Sequence, residues 1–326
     1  MPLQKSKIHN ILVISLTNIG DVILTFPVVD ILKNDFPDAK LSILIGPKAQ
    51  SLLEANPSFE KVYIYNKHQS FLENIRWLGE LRRQNFDLIV DLRNTAIPFF
   101  VPTQYRTPLR KTNSRGLHMR EKHLARLRSI YPNAQISPKR YSLFISEETK
   151  AAVRKMIDKD IGSKPFVVIA PGAMDNSKRW TEKNFALVAD ELVKTKGVGI
   201  VFVGGAEDRH VAQSIGHLME SEFVNLCGRT TLLDLAELMN HCQMVIANDS
   251  APMHLASYLD KPVLAIFGPT DPAQYGPWSS QSLYVEKKKD CQVCHSPKLK
   301  TKHECINNVS AENVLEALKS FEFSRK

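Results

Sequence analysis

The segment 245–271, VIANDSAPMHLASYLDKPVLAIFGPTD, leaves this chain few folds to choose from. A short apolar run (244–247) enters a polar turn, a helical stretch follows over about 252–259, and a second apolar run (263–267) stops at glycine and proline. Two apolar runs joined by one helix make a βαβ unit, and βαβ units build parallel sheets covered by helices. Asn248, Asp249 and Ser250 suit the cap of the helix, and Pro252 suits its first turn, where a missing N–H costs nothing. A helix that starts at the C-terminal end of a strand offers free N–H groups and a partial positive charge, which together hold phosphate. An ordinary capped turn would carry the same residues.

A second turn of this kind stands earlier in the same half. The run 166–170, bounded by Pro165 and Pro171, leads into PGAMDNSKRW, where Gly172 allows a tight turn and Lys178 and Arg179 bring charge to a helix start. The spacing is not that of a P-loop. One basic pair at a helix start is usually solvated surface. Two such turns in one α/β half point to a phosphate-bearing ligand.

The rest of the chain repeats the alternation. Strands are expected over 8–15, 41–45, 62–65 and 86–92 in the first half, and over 166–170, 198–203, 224–226, 244–247 and 263–267 in the second. Between them, Phe71, Ile75, Leu78 and Leu81 lie near helical spacing, as do Phe185, Val188, Leu192 and Val193. Pro98, Pro102 and Pro108 break the pattern. After them 118–131 reads as helix, 141–145 as a possible strand and 147–159 as helix. The Gly-Ser-Lys-Pro stretch that follows marks a boundary, giving domains 1–160 and 161–326; 326 residues suit two domains of about 150 each. The expected fold class is therefore α/β, two doubly wound parallel sheets with ligand sites at the C-terminal ends of their strands and a cleft between them.

Charge narrows the partner. The net charge is +9, and residues 106–140 hold ten lysines and arginines against one acid, Glu121. A solvated face mixes signs, so this block suggests an anionic partner: nucleic acid, an acidic membrane surface or a phosphorylated glycolipid. A nucleic-acid binder would leave both phosphate-suited turns unused, and the block lacks interleaved aromatics, Tyr105 and Tyr131 being the nearest. No apolar run approaches the roughly 18 residues of a membrane span. The basic N-terminus leads through the apolar run 11–16 into a polar turn without a small-residue cleavage site, which reads as a first core strand in a cytoplasmic protein. Cys227 and Cys242 sit in apolar contexts and are expected to be buried. Cys291-Gln-Val-Cys294-His295 spells a haem-attachment pattern, which would need export. Cys291, Cys294, His303 and Cys305 are read as a structural loop, with a zinc site, for which they have the chemistry, as the alternative.

Four spaced motifs now carry a resemblance over nearly the whole chain: ILVISLTNIGDVILTFP, PGAMDNSKRW, VGGAEDR and NDSAPMHLASYLDKPVLAIFGPTDP. The chain resembles glycosyltransferase family 9, the ADP-heptose:lipopolysaccharide heptosyltransferases, and the PGA…KRW form looks most like the branches that add the second and later heptoses. The resemblance implies a GT-B architecture, two Rossmann-like domains facing a cleft, with acceptor on the first and nucleotide sugar on the second. It implies an inverting, metal-independent transfer without a cofactor, and a last helix over about 310–323 that often crosses back to the first domain.

Matched position by position, the resemblance makes Asp21 the general base, with capping of the next helix as the ordinary alternative. Asn18 and Gly20 of the same motif fall on the acceptor side. Lys178 matches the cation that neutralises the leaving diphosphate, and Asp249, Ser250 and Ala251 match the phosphate-binding helix start. There Ser250 and backbone N–H groups suit phosphate, whereas Asp249, an anion, suits Lys178 or sugar hydroxyls. Asp208 matches the ribose-binding position, Thr230 the adenine edge, and His254 lies within reach of phosphate or is structural. Arg115 and Arg120 are the residues of the basic block assigned to a phosphorylated lipid A–core acceptor at the inner membrane surface, with no role for nucleic acid. The same fold would equally move another nucleotide-activated sugar to a different glycan, and a silent nucleotide-sugar binder would not need Asp21.

Overall fold

The computed structural model describes residues 3–15, 17–66, 71–109, 116–287 and 305–323, with the backbone alone at 71–75. The chain divides into two compact units, Met1–Phe144 and Ile145–Lys326. The division falls ahead of the boundary read from the Gly-Ser-Lys-Pro stretch, so the helix after Ser146 belongs to the second unit. No described helix is long and apolar enough to cross a membrane.

In the first unit, strands β1 (Asn10–Ile14), β2 (Lys40–Ile45), β3 (Lys61–Ile64), β4 (Leu88–Asp91) and β5 (Tyr105–Arg106) form one sheet in the order β3-β2-β1-β4-β5. Every pairing is parallel. Helices α1 (Ile19–Ile23), α2 (Phe26–Asp35), α3 (Gln50–Leu53), α4 (Phe71–Arg83), α5 (Ile97–Phe100) and α6 (Met119–Arg128) connect and cover it. The central strand β1 is buried from Ile11 to Ile14, as a parallel strand covered on both faces must be.

The expected strand at 141–145 is not formed. Asp30 of α2, buried, accepts hydrogen bonds from the Tyr141 and Ser142 N–H groups (both 2.8 Å) and from the Ser142 hydroxyl (2.7 Å). A buried carboxylate needs such donors, and here it takes N–H groups that a ladder would have used. Conversely, β5 was not expected. Its two residues lie between prolines and carry no readable alternation.

The second unit holds α7 (Glu147–Met156), β6 (Phe166–Ala170), α8 (Glu182–Lys196), β7 (Gly199–Phe202), α9 (Arg209–Leu218), β8 (Val224–Asn225), α10 (Leu232–His241), β9 (Met244–Asn248), α11 (Ala251–Tyr258), β10 (Val263–Phe267), α12 (Pro272–Tyr275), β11 (Ser282–Glu286) and α13 (Ala311–Leu318). Its sheet runs β11-β10-β9-β6-β7-β8, all parallel. Counted from β6 as the first strand, that is the 3-2-1-4-5-6 order of a dinucleotide-binding sheet, and the first unit shows its 3-2-1-4-5 part. Strand β11, half-exposed at the edge, was missed in the sequence because its burial gives no clean alternation. The last helix, α13, packs on α8, β10 and β11. Val167, Ile169, Phe185, Val188 and Leu192 form the core between β6 and α8, as the spacing required.

Candidate active site

In an open parallel sheet the strand order reverses at one point, and the loops leaving the C-terminal strand ends diverge there to leave a crevice. In the second unit this point lies between β6 and β9, which pair directly. The two phosphate-suited turns are the two loops that leave it. Lys178 follows β6 and Asp249 follows β9, and Lys178 Nζ meets Asp249 Oδ2 at 2.7 Å. The Lys178 side chain is 31% exposed and that of Asp249 6% exposed, so the basic pair of the sequence is no solvated face. Its two members part ways. Arg179 donates from Nε to the Ala173 carbonyl at 2.8 Å and points its terminal nitrogen at Asp208 Oδ1, 4.0 Å away.

A residue that the sequence reading took for a cap fixes this arrangement. Asn248 is fully buried at the end of β9; its Nδ2 donates to the Pro171 carbonyl at 2.7 Å and its Oδ1 accepts the Trp180 N–H at 3.3 Å. One amide thus clamps both ends of the PGAMDNSKRW turn onto the strand that carries Asp249. Asn248→Asp keeps the shape but sets an oxygen against the Pro171 carbonyl in a buried place. It is expected to cost roughly 2–4 kcal/mol of stability, read as a fall in the unfolding midpoint of the second unit.

Ser250 is the N-cap of α11, yet no side chain caps the helix; the Ser250 hydroxyl turns to the Asn248 carbonyl at 3.3 Å. Ala251 and Pro252 begin the first turn; Pro252 has no N–H and Met253 gives its own to the Ser250 carbonyl at 3.2 Å, so the Ser250 and Ala251 N–H groups are the ones this helix start can offer a ligand. His254 is buried one turn in and stacks on Trp278, ring centroids 5.6 Å apart. Its place is in the packing of the helix.

The next strands extend the same rim. Asp208, after β7, is buried, with one oxygen on the Gly205 N–H at 3.0 Å. A Cβ at Gly172 would sit 2.3 Å from the Asp208 carboxylate and one at Gly204 2.6 Å from it, so both glycines exist to admit that group. Burial pushes its carboxyl above the ordinary range. Asp208 therefore braces the β6 and β7 turns against each other, and the neighbouring carboxylate of Glu207 is the exposed one. Thr230, half-buried, follows β8 just ahead of Thr231, which caps α10 through a reciprocal pair with Asp234. The expected residues thus lie in the segments that follow four neighbouring strands: Asp249 and Ser250 after β9, Lys178 after β6, Asp208 after β7 and Thr230 after β8.

The first unit has its own reversal, between β1 and β4. Asp21 stands in the first turn of α1, directly after β1, and accepts from Asn18 Nδ2 at 3.1 Å. It makes no capping bond to the helix start. A buried hydroxyl pair holds α1 in place: Thr25 gives its proton to the Val22 carbonyl at 2.6 Å and so receives that of Ser15 at 2.8 Å. Opposite, Asp91 at the end of β4 accepts the N–H groups of Arg93 and Asn94 at 2.9 Å each and shapes the next loop. Beside this end lies a half-open cavity of about 370 Å³ lined by Ile14, Leu44, Tyr65, Trp77, Arg93 and Ile97 among others.

The basic block is only partly a surface. Arg126 is buried and donates to the Asp91 carbonyl at 2.8 Å, and Arg128 donates to the Ala134 carbonyl at 3.3 Å. Arg120 pairs with Glu121 at 2.9 Å, while Arg115 lies outside the described residues. Of the cysteines, Cys227, Cys242 and Cys305 are buried thiols; Cys291, Cys294 and His303 lie outside the described residues. Among the described residues, no group of three or more His, Cys, Asp or Glu is arranged to hold a metal ion.

With this geometry in place, comparison with known proteins is direct. Residues 75–304 match the model of glycosyltransferase family 9 (heptosyltransferase). The lipooligosaccharide heptosyltransferase 2 of Haemophilus influenzae is 27% identical over 85% of this chain and 88% of its own. The lipopolysaccharide heptosyltransferase 3 of Escherichia coli K12 is 27% identical over 91% and 94%. Among solved structures, a family 9 glycosyl transferase from Veillonella parvula superposes over 98% of both chains with a TM-score of 0.79 at 23% identity. The ADP-heptose LPS heptosyltransferase II of E. coli covers 95% of this chain and 98% of its own, with a TM-score of 0.73 at 22% identity. These likenesses extend through both units and give the chain the GT-B fold.

Proposed function

The chain belongs to glycosyltransferase family 9, and we propose that it moves heptose from ADP-heptose to the inner core of lipopolysaccharide, as a heptosyltransferase II or an enzyme adding later heptoses. The observation that carries the reading is the order of groups along one rim. From β9 to β8 the rim presents a helix start with a lysine, then the carboxylates of Asp208 and Glu207, then the turn that carries the half-buried Thr230. At about 4.8 Å per strand that rim extends on the order of 14 Å, the reach of a nucleoside diphosphate laid along it with its diphosphate at the strand reversal. The relatives named above, heptosyltransferases 2 and 3, support heptose as the sugar.

In the proposed reaction, Asp21 takes the proton of an acceptor hydroxyl as that oxygen attacks the anomeric carbon of the heptose. The bond from that carbon to the diphosphate oxygen breaks, and ADP leaves with the electron pair. Attack opposite the leaving group inverts the anomeric centre. Lys178, Ser250 and the N–H groups of the α11 start would hold the departing charge, and Asp249 would hold Lys178 and the sugar hydroxyls. Asp208 and its exposed neighbour Glu207 stand where the ribose diol would lie, and Thr230 where adenine would. His254 would support the helix start from beneath. Asn18, Gly20, Arg120 and Arg115 are assigned to the phosphorylated lipid A–core acceptor.

A sister activity, with another nucleotide-activated sugar and another glycan, is the competing reading. Calorimetric titration with ADP, UDP and GDP, each with and without EDTA, separates the two. Selective ADP binding that survives EDTA is the expected result. Preference for UDP or GDP would retain the transferase and remove heptose as its donor.

A further inference from the structure

The loops that leave β4 and β5 carry a feature that sugar transfer does not use. Phe99 and Phe100 of α5 are each 54% exposed, and Leu109, just after β5, is 48% exposed. Large apolar side chains grouped at one end of a sheet mark a contact surface more often than bare solvent. Cations stand among them. The Arg106 guanidinium lies 4.6 Å from the centre of the Phe99 ring and donates to the Pro98 carbonyl at 2.9 Å, so its charge is held beside that ring. Arg93 lies 5.9 Å from the Tyr65 ring, on the cavity that Phe100 also lines. The acid of this loop, Asp91, is buried and accepts backbone N–H groups, so its carboxylate is turned into the loop and away from the exposed face. The two loops are tied together, since Thr107 binds the Asp91 N–H through Oγ1 at 3.0 Å and Arg126 reaches both the Asp91 and Pro108 carbonyls.

We propose that this surface, Phe99, Phe100 and Leu109 with Arg93 and Arg106, docks the protein on an anionic lipid bilayer. Aromatic and leucine side chains flanked by arginine are the composition that settles at a bilayer interface, with the rings in the acyl boundary and the cations at the headgroups. Each arginine near an acidic leaflet raises partition about fivefold at moderate ionic strength. The surface stands at the C-terminal end of β4, the neighbour of β1, and so on the same rim of the first sheet as Asp21. Docking there would bring the leaflet to the acceptor side of that unit, and it holds whichever sugar is transferred.

The test is co-sedimentation of the purified full chain with phosphatidylcholine vesicles and with vesicles in which about a third of the lipid is phosphatidylglycerol. The expected result is binding to the second at least about tenfold stronger than to the first, falling as salt is raised through about 0.5 M. F99S/L109S, which alters only half-exposed side chains, should lower binding to the anionic vesicles about tenfold or more and leave ADP binding unmoved. F99W should add a blue-shifted emission on the anionic vesicles, which reads the same contact without loss of an apolar side chain. Equal binding to both vesicles, binding to neither, or salt-sensitive binding that F99S/L109S does not change would overturn the proposal. The last result would make the surface a general polyanion site.

Discussion

Asp21→Asn is expected to lower the turnover of sugar transfer by about 10²–10⁴-fold while leaving nucleotide-sugar affinity within about twofold of the starting value. Asparagine keeps the size and the partner, since Asn18 Nδ2 now donates to Asp21 Oδ2 and would donate equally to an amide oxygen. The Ser15–Thr25–Val22 bonds that hold α1 do not involve the side chain, so the fold around it should persist. What is lost is the capacity to accept a proton. If Asp21 served the helix instead, the substitution would shift stability and spare the rate. The absence of a capping bond from its carboxylate speaks against that alternative. Steady-state rates with a saturating soluble acceptor, together with ADP titration and thermal unfolding, distinguish the cases. Near-normal turnover would remove Asp21 from the chemistry.

Much of the second sheet was legible because its strands are buried on both faces. Apolar runs such as 166–170 and 263–267 are then continuous, and the structure bounds them at the same residues. The turns at 171–180 and 248–252 were legible as well, because glycine, proline and charge cluster there for chemical reasons that need no tertiary knowledge. Other assignments required contacts that no local pattern holds. Asn248 looked like a cap, but its amide is used 77 residues away at Pro171. Arg126 looked like part of a cationic face, but its guanidinium fills the end of β4 from 35 residues away. Asp208 read as a ligand group, and only the approach of Gly172 and Gly204 shows how tightly it is enclosed. Asp30 erased an expected strand by taking N–H groups more than a hundred residues downstream. For Asn248, Arg126 and Asp30 a buried polar group chose a distant partner, and the cost of leaving such a group unpaired decided the local structure.

Lys178→Ala should weaken nucleotide-sugar binding and slow transfer together, by about 10²–10³-fold in kcat/KM, and its interaction with Asp249 makes that effect diagnostic. The 2.7 Å contact joins a lysine about one third exposed to a carboxylate that is nearly enclosed. Removing the lysine takes away the cation meant for the diphosphate and also leaves Asp249 uncompensated at the helix start, where it repels the same phosphates. Asp249→Asn alone frees Lys178 from its partner while keeping a polar side chain, so it should cost far less in diphosphate affinity than in rate. In Lys178→Ala/Asp249→Asn the repulsion disappears with the charge. The double variant should therefore bind ADP more tightly than Lys178→Ala, by roughly fivefold or more if the coupling is of the order of 1 kcal/mol. Calorimetry of the four proteins with ADP closes this cycle without any acceptor. Additive losses would mean that Lys178 and Asp249 act on separate parts of the ligand, and unchanged ADP affinity in Lys178→Ala would place the diphosphate elsewhere on the rim.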